Sequence, residues 1–458
     1  MSVDEIKEAL RSGRIKVAVY GMGRIGIPLA CAWLTAGARV IGVDVNEKRV
    51  AMLNKGINPF KDEPYVNKIL REALRNGRFK ATINGVEASR ESHVKIIIVP
   101  VTLKHMRGKV EVNYENLVKV AEAIGRGLKR GDLVILETSV PPGTTRNILK
   151  PILERESRLK VEVDFGLAYS PERVAEGRVY LDIIEHYPKI VSGYGEKSLK
   201  AVRALYECVC RKGVIEVSKL EAAEFEKLAE GIYRDVNIAL ANELAILAMK
   251  LGLDFNEIRN AANSQPYCHL HKPGVGVGGL CIPVYPYFML NLAEKLGLKL
   301  KLVEIAREIN ENMPKITLNL IIEAARKIRG KPRIAILGLA FRGNIADTRN
   351  SPTYTLIKLL LAKGLKDIIV HDPYIEQDEK LTSLGIRLTT NINEAVKGRN
   401  IIVIATDHND YKRLKPSELL ELSGIGKIAI IDGRNVINEY YKKPKNVTYV
   451  GVGRPWTE

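Results

Sequence analysis

The sequence KVAVYGMGRIGIPLACAWLTAGARVIGVD, residues 16–44, decides the fold of this chain. An apolar run at residues 15–20 precedes a glycine-rich turn, and a second run at residues 39–44 ends in an aspartate. Both runs have the composition of buried parallel strands, and residues 26–36 between them have the length and composition of a helix. The segment therefore predicts a β-α-β unit.

The turn Gly-Met-Gly-Arg-Ile-Gly at residues 21–26 has the glycine spacing of a dinucleotide-binding site between a strand and a helix. Gly21 allows a tight turn, Gly23 lets a pyrophosphate approach the backbone, and Gly26 lets the helix pack closely on the strand. Asp44 can accept hydrogen bonds from ribose hydroxyls and would repel a 2′-phosphate, which favours NAD over NADP. The predicted cofactor contacts here are Gly21, Gly23, Arg24, Ile25, Gly26 and Asp44.

The alternation of strand and helix continues beyond this unit. Residues 95–99 and 133–137 are further buried-strand candidates, with a helical pattern at residues 114–128 between them. Shorter strand-like runs at residues 165–169 and 189–191 extend the same domain to about residue 217. The pattern is typical of a doubly wound parallel sheet.

The pattern changes after residue 220. Residues 221–250 are rich in Ala, Leu and Glu with helical spacing, and a second strand series begins near residue 333. We therefore expect an α/β protein with two Rossmann-like doubly wound parallel-sheet domains joined by a central helical segment. The predicted divisions are residues 1–217, which bind NAD, residues 218–325, the helical connector and dimerisation segment, and residues 326–458, the second Rossmann-like domain.

Composition excludes several classes of protein. The 458 residues are 46% hydrophobic and 27% charged, as in folded globular chains, and no apolar run approaches the length of a membrane span. The first residues lack the apolar core of a secretory signal, and five cysteines do not suggest a disulfide framework, so we expect a cytoplasmic protein. The net charge of +18 is dispersed, which argues against nucleic acid and is compatible with a polyanionic small ligand.

A candidate nucleophile follows a second glycine-rich stretch, Gly-Val-Gly-Val-Gly-Gly-Leu-Cys at residues 274–281. Such a loop lets backbone N–H groups approach a ligand, and a partly exposed Cys281 thiol could attack a carbon centre. A buried thiol on a tight loop is the alternative. Cys268, His269 and His271 could be imagined as metal ligands with Cys281, but their spacing does not suit a tetrahedral site, so we expect no metal.

Five motifs in register give a family resemblance that runs from about Ile15 to Val450. They resemble the UDP-glucose/GDP-mannose 6-dehydrogenase family, and the most specific of them, GLAFRGNIADTRNSPTY, is similar to the signature of its UDP-binding domain. The resemblance implies a cytoplasmic, NAD-dependent four-electron oxidation of a sugar C6 alcohol to the carboxylate, a UDP-sugar substrate and a homodimer or higher homo-oligomer. The motifs occupy residues 137–145, 170–174, 221–245, 278–281 and 338–354.

The resemblance also implies individual roles. Cys281 matches the nucleophile, Lys227 the lysine that stabilises the oxyanion, Glu172 the acid that activates water, and Ser139 a hydroxyl that orients cofactor or water. Arg349 matches an arginine that reaches the cofactor. Further cofactor contacts are Pro100, Thr138 and Ser139, and the substrate contacts are Glu172, Arg173, Val174, Lys227, Gly278, Phe341, Arg342 and Arg434.

Local variants resemble the branch of the family that oxidises UDP-N-acetylhexosamines, UDP-N-acetylmannosamine above all, with UDP-glucose as the alternative substrate. The sequence also departs from the family pattern. Gly231 stands where an asparagine helps to hold the oxyanion, Tyr285 replaces an aspartate, Leu280 replaces a histidine and Arg342 replaces a lysine. A non-catalytic nucleotide-sugar-binding homologue therefore stays open as a second hypothesis.

Overall fold

A computed structural model describes residues 2–60, 62–106, 109–328 and 330–457. The chain forms two compact units, one from Met1–Glu230 with Tyr287–Gly297 and the other from Gly231–Pro286 with Leu298–Glu458. The predicted α/β class is confirmed, since each unit contains a mainly parallel sheet covered by helices. The boundaries at residues 217 and 325 stay a prediction.

The first unit is built on an eight-stranded sheet within the described residues, with the strand order β10-β9-β8-β7-β4-β1-β2-β3. The four strands predicted in this unit before residue 140 lie at the centre of the sheet. A two-stranded hairpin, β5 and β6, lies outside it. The strands are β1 Lys16–Tyr20, β2 Arg39–Val43, β3 Phe79–Thr82, β4 Val94–Ile97, β5 Thr102–Met106, β6 Lys109–Asn113, β7 Leu133–Leu136, β8 Gly166–Tyr169, β9 Lys189–Gly193 and β10 Val214–Glu216.

Central strands in this sheet are buried on both faces because helices cover both sides. Strands β4 and β7 are buried along their whole length, and α2 buries nine consecutive residues, Gly26 to Leu34. The helices up to this point in the chain are α1 Val3–Arg11, α2 Gly26–Thr35, α3 Glu47–Leu53, α4 Val66–Arg75, α5 Gly85–Glu91, α6 Glu115–Gly127, α7 Lys150–Ser157, α8 Val179–Leu181 and α9 Glu196–Val209, with π-helical turns at Thr145–Leu149 and Asp182–His186.

Two strands of this sheet, β9 and β10, run against the predicted parallel direction, since β10 pairs parallel with β9. Strand β9 pairs antiparallel with β8, through Ala168 with Gly193 and Tyr169 with Ser192. The segment between β8 and β9 stays at the end of the sheet where β8 finishes and does not return to the other end of the strands. Strand β9 must therefore run in the opposite direction to β8. The first residue of β9, Lys189, therefore lies beyond the carboxyl end of β8.

The predicted helical stretch after residue 220 is confirmed. It contains α10 Leu220–Lys250, α11 Phe255–Ala262, α12 Tyr285–Lys295 and α13 Lys301–Lys327. Helix α10 begins in the first unit and ends in the second. Pro314 lies inside α13, where it removes one backbone hydrogen-bond donor without ending the helix.

The second unit contains a seven-stranded sheet within the described residues, ordered β13-β12-β11-β14-β15-β16-β17. All pairings are parallel except that of β16 with β17. The strands are β11 Ile334–Leu337, β12 Ile368–His371, β13 Arg387–Thr389, β14 Ile401–Ile404, β15 Ile428–Asp432, β16 Val447–Gly451 and β17 Arg454–Thr457. The helices are α14 Pro352–Ala362, α15 Glu379–Ser383, α16 Ile392–Val396, α17 Asn409–Lys412 and α18 Pro416–Ser423, with a 3₁₀ turn at Tyr440–Lys442.

Candidate functional site

The glycine turn after β1 has the geometry that a dinucleotide requires. Gly21 has a φ of +106°, a left-handed conformation that favours glycine. A Cβ on Gly26 would lie 1.8 Å from the carbonyl oxygen of Gly21, so α2 can start there only with glycine. Gly23 faces open space, since no atom of the described residues beyond its chain neighbours lies within 4 Å of an added Cβ. The turn thus combines tight packing with an accessible backbone, and it fits a bound NAD pyrophosphate.

Asp44 lies at the end of β2 and is held rigidly. Its carboxylate accepts hydrogen bonds from the N–H of Met22 and the N–H of Asn46, both at 2.9 Å. The Arg49 guanidinium donates to the same group at 2.8 Å. The carboxylate is therefore fixed beside the glycine turn, where the ribose of a dinucleotide is expected.

Two residues inside the glycine turn have different neighbours. The Arg24 guanidinium lies 2.7 Å from an Asp62 carboxylate oxygen and 4.8 Å from the centre of the Phe60 ring. Ile25 packs against the buried core of the first unit. The structure thus places Arg24 on the polar side of the turn and Ile25 on its apolar side.

Other predicted cofactor residues follow the carboxyl ends of neighbouring strands. Pro100 comes after β4, and Thr138 and Ser139 come after β7, which pairs with β4 in parallel. The Thr138 hydroxyl donates to the Val99 carbonyl oxygen at 2.6 Å. Ser139 is half-buried. Ligands of open α/β sheets bind at this edge, so the position of these residues suits cofactor binding.

Glu172 belongs to a buried charge cluster at the same edge. The Lys189 ammonium forms an ion pair with Glu172 and lies 3.2 Å from the Glu137 carboxylate. Burial raises the pKa of Glu137 well above its ordinary value, an effect that Lys189 opposes. Burial also opposes the charge of Lys189, but the two carboxylates raise its pKa overall. Sequence reasoning missed this cluster, although Glu137 lies in one of the quoted motifs.

Lys227 is buried on α10, and its ammonium lies 3.9 Å from the Glu230 carboxylate one turn along the helix. The same carboxylate lies 3.4 Å from the Arg173 guanidinium, which also donates to the Pro188 carbonyl oxygen. Val174 packs partly buried against the core of the first unit. Glu230 therefore joins two of the predicted substrate-binding cations.

In the second unit, the glycine loop at residues 274–279 packs directly against other predicted site residues. A Cβ on Gly278 would lie 2.5 Å from the Cβ of Phe341, and one on Gly279 would lie 2.9 Å from the Phe341 ring. A Cβ on Gly274 would lie 2.7 Å from the Arg434 guanidinium. The N–H of Gly279 donates to the Arg349 carbonyl oxygen at 2.9 Å. The loop is thus glycine-rich because Phe341 and Arg434 lie against it.

Cys281 follows this loop directly, and its side chain is exposed. Its carbonyl oxygen accepts hydrogen bonds from the N–H groups of Val284 and Tyr285, at 3.0 and 2.9 Å, which form the turn before α12. The exposed thiol excludes the alternative of a buried structural cysteine. Its catalytic role stays a prediction.

The predicted arginines of the second unit have carboxylate partners. Arg349 is exposed and its guanidinium is paired with Asp347, while Arg434 lies 3.3 Å from the Asp407 carboxylate. Although burial opposes ionisation, Arg434 and the N–H of Gly343 lower the pKa of Asp407 to about 2. Arg342 is half-buried beside Phe341 in the sequence. Fixed carboxylates can hold guanidinium groups in position for a phosphate.

Two residues that position the loops were missed by sequence reasoning. Asn242 is fully buried on α10, accepts from the N–H of Gly274 at 3.0 Å and donates to Asn310 at 2.9 Å. Asp372 accepts from the N–H groups of Leu339 and Ala340, at 2.8 and 2.9 Å. Asn242 is one of several buried polar residues on α10, with Glu224, Lys227 and Asp235, so its position on this helix alone gave no distinctive signal.

The two departures from the family pattern at Gly231 and Tyr285 are one structural feature. A Cβ on Gly231 would lie 2.4 Å from Cδ2 of Tyr285, and the Tyr285 side chain is buried. The tyrosine ring thus occupies the space in which a larger residue at position 231 would lie.

We expect Gly231→Asn to destabilise the protein by about 2 kcal/mol, because the new side chain must displace the tyrosine ring. Thermal unfolding should show a Tm lower by about 5 °C. The double variant with Tyr285→Asp should recover most of this loss, since the obstructing ring is removed. Ala229→Asn, at an exposed position of the same helix, controls for helix propensity. A Gly231→Asn variant as stable as its parent would contradict the steric account.

The sheet, the glycine turn and the fixed Asp44 together define a dinucleotide-binding protein of the Rossmann class. Within the described residues, no group of three or more His, Cys, Asp or Glu side chains could hold a metal ion. None of the described helices is long and apolar enough to cross a lipid bilayer.

Comparison with known proteins narrows this class. Residues 15–210 match the NAD binding domain of the UDP-glucose/GDP-mannose dehydrogenase family, residues 221–312 its central domain and residues 335–439 its UDP binding domain. The chain therefore belongs to the UDP-glucose/GDP-mannose dehydrogenase family, and it is an NAD-dependent oxidoreductase.

Individual relatives match over nearly their full length. A UDP-N-acetyl-D-mannosamine dehydrogenase of Pyrococcus horikoshii is 36% identical over 96% of this chain and 99% of its own. The solved structure of UDP-D-ManNAc dehydrogenase from that organism superimposes with a TM-score of 0.86 at 34% identity, covering 96% of this chain and 99% of the other. A UDP-glucose dehydrogenase from Pyrobaculum islandicum gives a TM-score of 0.85 at 27% identity, covering 97% and 99%.

Proposed function

We propose that this protein oxidises the C6 alcohol of a UDP-N-acetylhexosamine, UDP-N-acetylmannosamine in the first place, to the carboxylate. The observation that carries the proposal is the exposed Cys281 at the end of a glycine loop that packs on Phe341 and Arg434. The names of the relatives that match over most of the chain support the choice of sugar.

Two oxidations of one carbon need a group that retains the aldehyde between them. When bound at the glycine turn and Asp44, NAD⁺ accepts one hydride in each oxidation, so two NADH are formed per sugar. The Cys281 thiolate adds to the aldehyde carbon and forms a thiohemiacetal. The second oxidation converts this adduct to a thioester. Water then adds to the thioester carbon, the C–S bond breaks, and the carboxylate and the free thiol result.

The other predicted residues serve these steps. Lys227 stabilises the negative oxygen that forms when sulfur or water adds to the carbon. Glu172 takes the proton of the attacking water. Ser139 orients cofactor or water, and Arg349 contacts the cofactor. Arg173, Val174, Gly278, Phe341, Arg342 and Arg434 contact the UDP-sugar, with the arginines on its phosphates.

The experiment that tests this function is NADH formation by the purified protein with a panel of UDP-sugars. We expect UDP-N-acetylmannosamine to give two NADH per sugar and a uronate product identified by mass, and UDP-N-acetylglucosamine and UDP-glucose to react more slowly. Faster oxidation of UDP-glucose would assign that substrate instead. Binding of the sugars without any NADH would sink the enzymatic proposal and favour a nucleotide-sugar-binding homologue.

We also propose a homodimer formed through α10, within the central segment of the three-domain division predicted from the sequence. Leu240, Leu244, Leu247 and Leu251 repeat at spacings of four, three and four residues and are exposed. Such a stripe is typical of a helix that packs against a second helix. A working thiol at Cys281 requires a reducing compartment, so we place the protein in the cytoplasm.

A further inference from the structure

A buried lysine lies between two buried glutamates at the carboxyl edge of the first sheet. Glu137 follows β7, Glu172 follows β8, and Lys189 begins β9. Only the antiparallel direction of β9 brings Lys189 to this edge. Its ammonium pairs with Glu172 and lies 3.2 Å from Glu137. The three groups therefore form one charge cluster and not two separate ion pairs.

The cluster contains more acids than bases. Glu137, Glu172 and Lys189 are 1%, 8% and 5% exposed, so water screens their charges little. The neighbouring side chains include Tyr169 on β8, Tyr206 on α9 and Cys210 after it. Burial raises the pKa values of the Tyr169 hydroxyl and the Cys210 thiol above their ordinary values. With both glutamates ionised, the cluster would bury a net negative charge, which is unfavourable. One proton on a glutamate makes it neutral.

The surroundings of Glu137 and Glu172 differ, and this difference indicates which of the two glutamates carries the proton. Glu137 is the more buried glutamate, and its Oε1 has no hydrogen-bond partner among the described residues. Glu172 has the closer contact with the ammonium and is slightly less buried than Glu137. A carboxylate is stabilised by a close cation and by water, whereas a dry, unpartnered oxygen suits the neutral acid.

We propose that Lys189 and Glu137 are positioning residues for Glu172, with the Lys189 ammonium holding the Glu172 carboxylate in place as the base for thioester hydrolysis and Glu137 carrying the cluster's proton. This inference rests on the proposed function, in which Glu172 accepts the proton of water. It adds two residues for which neither the glycine motifs nor the family resemblance implied a role. Neither residue touches the reacting atoms in this account, since both act through Glu172.

The test is the pH dependence of uronate release after the NADH burst, measured by rapid quench. In Lys189→Met, Glu172 loses its paired cation. The low-pH side of the rate–pH profile, the acid limb, should therefore move to higher pH by about one unit, with release about ten-fold slower on that limb. Lys189→Arg keeps the charge and should restore the wild-type limb. Glu137→Gln replaces one neutral group by another and should leave the limb where it is.

A matched control separates a positioning role from loss of structure. Lys95, near the start of β4, is also fully buried, and it forms an ion pair with Asp132, which directly precedes β7. This pair therefore lies at the amino edge of the same sheet, whereas the cluster lies at the carboxyl edge. Lys95→Met should lower the Tm but leave the acid limb unmoved. Infrared difference spectra add a direct readout, because a protonated carboxyl has a C=O band that carboxylates lack, and Glu137→Gln should lose one such band.

An unmoved limb in folded Lys189→Met overturns the proposal. A shift of the acid limb of Glu137→Gln to lower pH also overturns it, because that shift would mean that Glu137 is ionised in the wild-type protein. If Lys189→Met does not fold, the Glu137→Gln result alone tests the proposal. Failure of the proposed function is distinct, because wild-type protein would then form no NADH with any of the three UDP-sugars.

Discussion

Cys281→Ser is expected to form uronate at least about 10³-fold more slowly than the wild-type protein, because the hydroxyl cannot replace the thiolate that retains the aldehyde. The first oxidation does not need the thiol, so this variant should still form about one NADH per sugar and release the aldehyde. The measurement is NADH stoichiometry combined with product mass. A variant that still delivers full uronate at two NADH per sugar would exclude the covalent route.

Cys268→Ser is the matched control for this prediction. Cys268 is half-buried in the same unit, and its Sγ lies 3.5 Å from the Asn263 side-chain oxygen. It has no place in the proposed chemistry, so the variant should keep the wild-type rate and stoichiometry. A loss of uronate in both variants would instead indicate that replacing any thiol of this unit disturbs the loop.

Local sequence predicted the parts of the fold that depend on neighbouring residues. Composition and spacing within about 30 residues predicted the two strands beside the glycine turn, the turn itself and the position of Asp44. The hairpin of β5 and β6 was missed, although β6, with the sequence KVEVN, alternates polar and apolar residues as a half-buried strand does. Strand β17 was missed because it is a short antiparallel edge strand, with half-buried residues.

The site could be predicted only where a residue type and its neighbours carry the chemistry. Cys281 was identifiable from the glycines before it. The contact of Lys189 with Glu172 was not, since it depends on the reversed direction of β9, and no short-range pattern sets that direction. The packing of Tyr285 on Gly231 likewise joins two helices, and each residue taken alone looked like a lost functional group. Contacts of this kind require the fold before they can be seen.

Gly26→Ala is expected to destabilise the first unit by about 3 kcal/mol and to abolish measurable NAD binding. The new methyl group would lie 1.8 Å from the Gly21 carbonyl oxygen, and a backbone atom within a tight turn cannot move aside as a side chain can. The turn must therefore open, which displaces the N–H groups at the start of α2 that bind phosphate. Thermal unfolding and calorimetric titration with NAD⁺ measure the two effects.

Gly23→Ala separates packing from ligand approach at the same turn. Apart from its chain neighbours, no residue that the structure describes has an atom within 4 Å of an added Cβ at Gly23, so the free protein should keep its wild-type Tm. NAD⁺ affinity should nevertheless fall at least about ten-fold, because the methyl group occupies the space through which the pyrophosphate reaches the backbone. Unchanged NAD⁺ binding in folded Gly23→Ala would mean that the cofactor lies elsewhere, and an equally low Tm in both variants would mean that the turn is not open at Gly23.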